Sequence, residues 1–140
     1  MNALPLRGRS ILVVEDEPLI AMDVERALRD AGANVLSACT LAQAPQLVNR
    51  PGLSVAVLDY RLADADCSTI SNRLQERRIP FVIYSGCCDI RTVFPNAAVV
   101  LKPAALSDLV AAVSDALLSI EPVLALPSTR VREYAPGQAR

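Results

Sequence analysis

The stretch Ser10-Ile-Leu-Val-Val-Glu-Asp-Glu-Pro18 decides the fold. Ser10 to Val14 is an apolar run of the kind a strand shows when a parallel sheet buries it on both faces. Acidic residues follow at once, and Pro18 suits the first turn of a helix. Ile20, Val24, Ala27, Leu28 and Ala31 then recur at helical spacing until Gly32 stops the pattern. A buried strand, an acidic turn and an amphipathic helix make the first part of a βαβ unit.

Outward from that stretch the alternation repeats. Asn34 to Ala38 reads as a second strand, and Leu41, Ala44, Leu47 and Val48 mark a second helix with Pro45 tolerated in its first turn. Pro51-Gly52 marks a turn. Ser54 to Leu58 is a third strand, followed by a helix around Cys67 to Arg77 that carries Ile70 and Leu74. Pro80 to Tyr84 is a fourth strand. Residues Cys87 to Phe94 hold at most a short helix, closed by Pro95. Ala97 to Leu101 form a fifth strand, and Leu106, Leu109, Val110, Val113, Leu117 and Ile120 mark a strong final helix. The pattern implies an α/β fold, a doubly wound five-stranded parallel sheet with helices on both faces and a shortened fourth helix.

The chain has 140 residues, enough for one compact domain and too few for a receptor joined to an effector. Hydrophobic residues make up 52% and aromatics 4%, so the core is built from Ala, Val, Leu and Ile. A net charge of −1 and few aromatics argue against nucleic acid as a partner. The absence of His excludes imidazole metal sites, His-dependent nucleophiles and a phosphohistidine on this chain. Thirteen of the fourteen basic residues are Arg, which leaves Lys102 as the one lysine. Cys39, Cys67, Cys87 and Cys88 lack zinc-type spacing and read as small apolar residues. Met1 to Ser10 has no signal-like apolar run, and charges and prolines interrupt the stretch Ala97 to Leu126. The expectation is a soluble, cytoplasmic protein with no membrane contact. Residues 1–8 read as an N-terminal extension, 9–120 as the domain and 121–140 as a flexible tail rich in Pro, Ser, Thr and Arg.

In an open parallel α/β sheet, ligands bind beyond the carboxyl ends of the strands, where the strand order reverses. Here the first strand ends in Glu15-Asp16-Glu17, the third in Asp59, the fourth in Ser85-Gly86 and the fifth in Lys102-Pro103. With strand order 2-1-3-4-5, Glu15, Asp16 and Asp59 converge in one crevice. Three carboxylates that close call for a cation, and Mg²⁺ suits an oxygen site that keeps waters for a phosphoryl group. Ser85 is placed to donate a hydrogen bond to such a group, and Lys102 to supply a mobile cation. Taken singly these residues read as ordinary surface polar groups, and Glu15-Asp16 as acids at a helix start. Their occurrence at four strand ends along one edge points to phosphoryl chemistry.

The segments ILVVEDEP, AVLDYRL, YSG and LKP together resemble the receiver domain of two-component response regulators, a flavodoxin-like fold, over roughly Arg9 to Ile120. The resemblance implies that Asp59 is the phosphoacceptor, and that Asp16 and Asp59 ligate Mg²⁺ directly. Glu15 would act through water, and the Arg61 backbone carbonyl would complete the metal shell. It assigns Ser85 and Lys102 to the phosphoryl group, with a cis bond before Pro103, and Arg61 and Cys87 to positions that tune hydrolysis. The implied phosphodonor is a sensor histidine kinase or a histidine phosphotransfer protein. The chain would then act as a monomer or weak homodimer on an unknown downstream protein target.

The sequence departs from the family in places that bear on output. Val99 stands where the family places its switch aromatic, with Tyr84 as a candidate substitute. Ala104 follows Pro103, and only sixteen residues separate Ser85 from Lys102. The leading expectation is a single-domain response regulator that is not an enzyme beyond its own phosphorylation and dephosphorylation, since no output domain follows Ile120. A receiver-like adaptor that binds partners independently of phosphate is the alternative. A phosphatase using Asp59 as nucleophile is disfavoured, because Arg61 stands where such enzymes carry an acidic proton donor.

Overall fold

The computed structural model describes residues 4–40, 42–59, 68–85, 98–101, 105–118 and 133–134. Strand β1 (Ser10–Val14) leads into α1 (Pro18–Asp30), β2 (Asn34–Ala38), α2 (Ala44–Val48) and β3 (Leu53–Leu58). Then come α3 (Ser68–Glu76), β4 (Phe81–Ser85), β5 (Ala98–Leu101), α4 (Leu106–Leu118) and β6 (Glu133–Tyr134). The strands lie in the order β2-β1-β3-β4-β5-β6, and every pairing is parallel. The expected five-stranded parallel order 2-1-3-4-5 is therefore present. The segment in which the shortened fourth helix is expected, within 86–97, lies outside the described residues. Those twelve positions are all that separate β4 from β5.

Two regions differ from the sequence expectation. Glu133 and Tyr134, assigned to a flexible tail, form a sixth strand paired with Val99 and Val100. The outer edge of β5 would otherwise present a row of unpaired N–H and C=O groups, and the returning strand covers the middle of that row. At the other end, the expected N-terminal extension contributes one residue to the core. Leu6 is fully buried, and its N–H donates to the Ala31 carbonyl at 2.8 Å.

The continuous apolar runs of the central strands are explained by cover on both faces. Leu12, Val14, Ala56, Leu58, Ile83 and Val99 pack with Ala44 and Val48 of α2 and Ile70 and Leu74 of α3. Their alternate neighbours Ile11, Val13, Val55, Val57, Val82 and Val100 pack with Val24 and Leu28 of α1, Leu109 and Val113 of α4, and Leu6. The period of two along the central strands thus sends alternate apolar side chains into two opposite layers.

Helix α2 has only five residues, too few to be stable alone. It is held from α3 and the turn that follows it: Arg73 Nε of α3 donates to Asn49 Oδ1 at 2.7 Å, and Arg77 Nη1, in the turn, to the Val48 and Arg50 carbonyls at 2.5 and 3.0 Å. The bond to the Val48 carbonyl satisfies one of the groups that the helix end leaves without a partner.

Candidate functional site

Parallel pairing carries the acidic residues to one place. The β1–β3 register pairs Val14 with Leu58, so Glu15 and Asp59 are the next residues on neighbouring strands. The ladder continues one step past the strands: Asp59 N–H donates to the Val14 carbonyl at 3.0 Å and Glu15 N–H to the Ala38 carbonyl at 3.1 Å. Both backbones are therefore fixed at the carboxyl edge of the sheet, where the chain connections reverse direction between β1 and β3.

Glu15 and Asp59 are buried, at 3% and 2% exposure, while Asp16 is exposed. One carboxylate oxygen from each of the three lies within 4.8 Å of the others. Two ionised carboxylates at that separation repel by on the order of 3 kcal/mol at an effective dielectric near 20. The Glu15 carboxylate is also tied to the main chain, since Glu17 N–H donates to its Oε2 at 3.1 Å. Glu17 is the N-cap residue of α1, extended at φ −93° and ψ 113°, with Pro18 next in the helix.

This donor set fits a hard divalent cation. All three groups offer oxygen, two are held in the protein and the third faces solvent, which leaves room for the waters that Mg²⁺ retains. Residues Glu15, Asp16 and Asp59 would hold the ion.

Among the other predicted site residues, Ser85 is the last residue of β4, next but one along the sheet from β1. Val99 is 1% exposed and packs in the layer with α2 and α3. Tyr84 is 7% exposed and lies in the opposite layer, with α1 and α4. The proposed substitute for the family's aromatic thus sits on the other face of the sheet from position 99. Arg61, Cys87, Lys102 and Pro103 lie outside the described residues. The contribution of the Glu17 amide was not legible in the sequence, because every residue except Pro carries such a donor.

Residues 11–114 match the response regulator receiver domain family. The chain is 35% identical over 82 residues to the phyllosphere-induced regulator PhyR of Methylorubrum extorquens, a match covering 54% of this chain and 30% of that protein. The chain thus spans less than a third of the length of that relative. Among solved structures, a response regulator receiver protein from Sinorhizobium medicae superposes with a TM-score of 0.72 at 25% identity, covering 81% of this chain and 97% of that one. The PhyR stress response regulator superposes with a TM-score of 0.67 at 24% identity, covering 81% of this chain and 47% of that one.

The chain belongs to the response regulator receiver domain family. Its function is of the response-regulator type, in two-component signalling, and receiver domains are in general not catalytic enzymes. No helix among the described residues is long and apolar enough to cross a membrane.

Proposed function

We propose that the chain accepts a phosphoryl group on Asp59 from a histidine kinase or a histidine phosphotransfer protein and signals through protein contacts. The observation that carries this reading is the buried Glu15–Asp59 pair, joined by Asp16, with oxygens within 4.8 Å at the carboxyl edge of the sheet. Three carboxylates gathered at one edge, two of them buried, supply the oxygen donors that a divalent cation takes.

In the proposed reaction an Asp59 carboxylate oxygen attacks the phosphorus of a donor phosphohistidine. A P–O bond forms as the P–N bond breaks, and the imidazole nitrogen takes up a proton. Bound Mg²⁺ would supply neutralisation of the charge on the phosphoryl oxygens. Glu15 and Asp16 hold the acidic side of the site, Ser85 donates its hydroxyl to the transferred group, and Lys102 balances its remaining charge. Water later cleaves the acyl phosphate, at a rate set in part by Arg61 and Cys87. Residues 9–120 form the phosphoaccepting unit, to whose core Leu6 is added from the turn before it.

Val99 favours a second reading, a receiver-like adaptor that binds its partner without phosphate. A small aliphatic side chain fully packed in the core has no room-dependent alternative position of the kind a mobile aromatic offers. Intact-protein mass spectrometry after incubation with acetyl phosphate separates the two. The receiver reading predicts a single phosphoryl adduct that requires Mg²⁺ and disappears when the ion is chelated. A chain that forms no adduct and binds no Mg²⁺ by titration supports the adaptor.

A further inference from the structure

The acidic corner contains a main-chain contact that the phosphoacceptor chemistry does not itself require. Glu15 has a long side chain, and fixing one of that type costs up to about 2 kcal/mol of rotamer entropy. Its Oε2 nevertheless has a defined partner, the Glu17 N–H at 3.1 Å. The donor is rigid: the preceding strand is anchored through Glu15 N–H to the Ala38 carbonyl, and Pro18 with the Ala21 N–H bond to the Glu17 carbonyl fixes the start of α1. The bond closes a short loop, from residue 17 back to residue 15, around the exposed Asp16.

We infer that the Glu17 backbone amide is a positioning group for the cation site, holding the Glu15 carboxylate in its binding orientation before an ion arrives. This rests on the reading of Glu15, Asp16 and Asp59 as a Mg²⁺ site. A hydrogen bond to one carboxylate oxygen leaves the other oxygen to the ion or its waters. It also removes most of the rotamer freedom that binding would have to suppress. Groups that orient metal ligands in this way change affinity by about 10- to 100-fold when removed. The side chain of Glu17 has no part in the contact, so the effect belongs to the N–H alone.

Glu17→Pro deletes that N–H at a position whose φ of −93° is near the range of proline. Because proline also restricts Asp16 before it, the test is a double-mutant cycle with Glu15→Ala, read as Mg²⁺ affinity by calorimetric titration alongside melting temperature. In the natural background Glu17→Pro is expected to weaken Mg²⁺ binding about tenfold. In the Glu15→Ala background, where no carboxylate remains to be held, it is expected to change affinity less than about twofold, as coupling through one contact requires. An unchanged affinity in the natural background, or an equal loss in both backgrounds, overturns the inference while leaving the metal site standing. A natural chain that binds no Mg²⁺ overturns both.

Discussion

Asp59→Asn is expected to abolish the Mg²⁺-dependent phosphoryl adduct, to weaken Mg²⁺ binding at least about tenfold and to make the metal-free protein more stable. The three effects have one origin. Asp59 is 2% exposed and shares a space within 4.8 Å with the carboxylates of Glu15 and Asp16. An amide of the same size keeps the packing but removes a nucleophilic oxygen, an anionic ligand and one partner in the repulsion. Relief of that repulsion is expected to add about 1–3 kcal/mol to the metal-free chain. Thermal melts with and without Mg²⁺ check the sign. In the natural chain Mg²⁺ raises the melting temperature by mass action, and in the variant most of that increase disappears. A variant less stable than the natural chain in metal-free buffer would mean that Asp59 serves the fold rather than the chemistry.

Gly32→Ala is expected to lower stability by about 2.5–4 kcal/mol. Gly32 has a φ of +104°, and a Cβ built there would lie 2.8 Å from Arg7 Cα, 2.9 Å from Arg7 N and 3.0 Å from Leu4 Cβ. The first two are backbone atoms and cannot swing aside. The turn from Leu4 to Gly8 must therefore lift, and with it the fully buried Leu6 and its bond to the Ala31 carbonyl. Withdrawing one such leucine from the core costs about 1.5–3 kcal/mol, to which the left-handed backbone adds about 1 kcal/mol for a residue with a Cβ. Gly52 provides the comparison, since its φ is +84° but nothing lies within 4 Å of a Cβ there. Gly52→Ala pays only the backbone part, so urea denaturation of the two variants isolates the close approach. Equal losses would show that docking of the N-terminal turn contributes nothing.

The parts of the fold that were legible in the sequence are those where one cause dominates. β1 could be bounded at Ser10 and Val14 because burial on both faces demands an unbroken apolar run, and α1 because Pro18 and Gly32 bracket a helical stripe. The convergence of Glu15, Asp16 and Asp59 followed from strand order, since in a parallel sheet every strand delivers its next residue to the same edge. Leu6 was not legible, because a single leucine beside Pro5 and Arg7 has no period and its partner Ala31 is far away in sequence. Glu133 and Tyr134 were hidden for a similar reason: edge pairing uses main-chain groups, which leave no mark on composition. The opposite faces of Tyr84 and Val99 follow from strand period and register, for Tyr84 pairs with Val100 rather than Val99.

The most direct test of the account is to locate the phosphoryl group chemically. Borohydride reduces an aspartyl phosphate to homoserine, whereas phosphate on a hydroxyl or on arginine survives. After treatment of the natural chain with acetyl phosphate and Mg²⁺, reduction and peptide mass spectrometry are predicted to find homoserine at position 59 and nowhere else. Homoserine at position 16, or an adduct that resists reduction, would contradict the assignment of Asp59 as the phosphoacceptor.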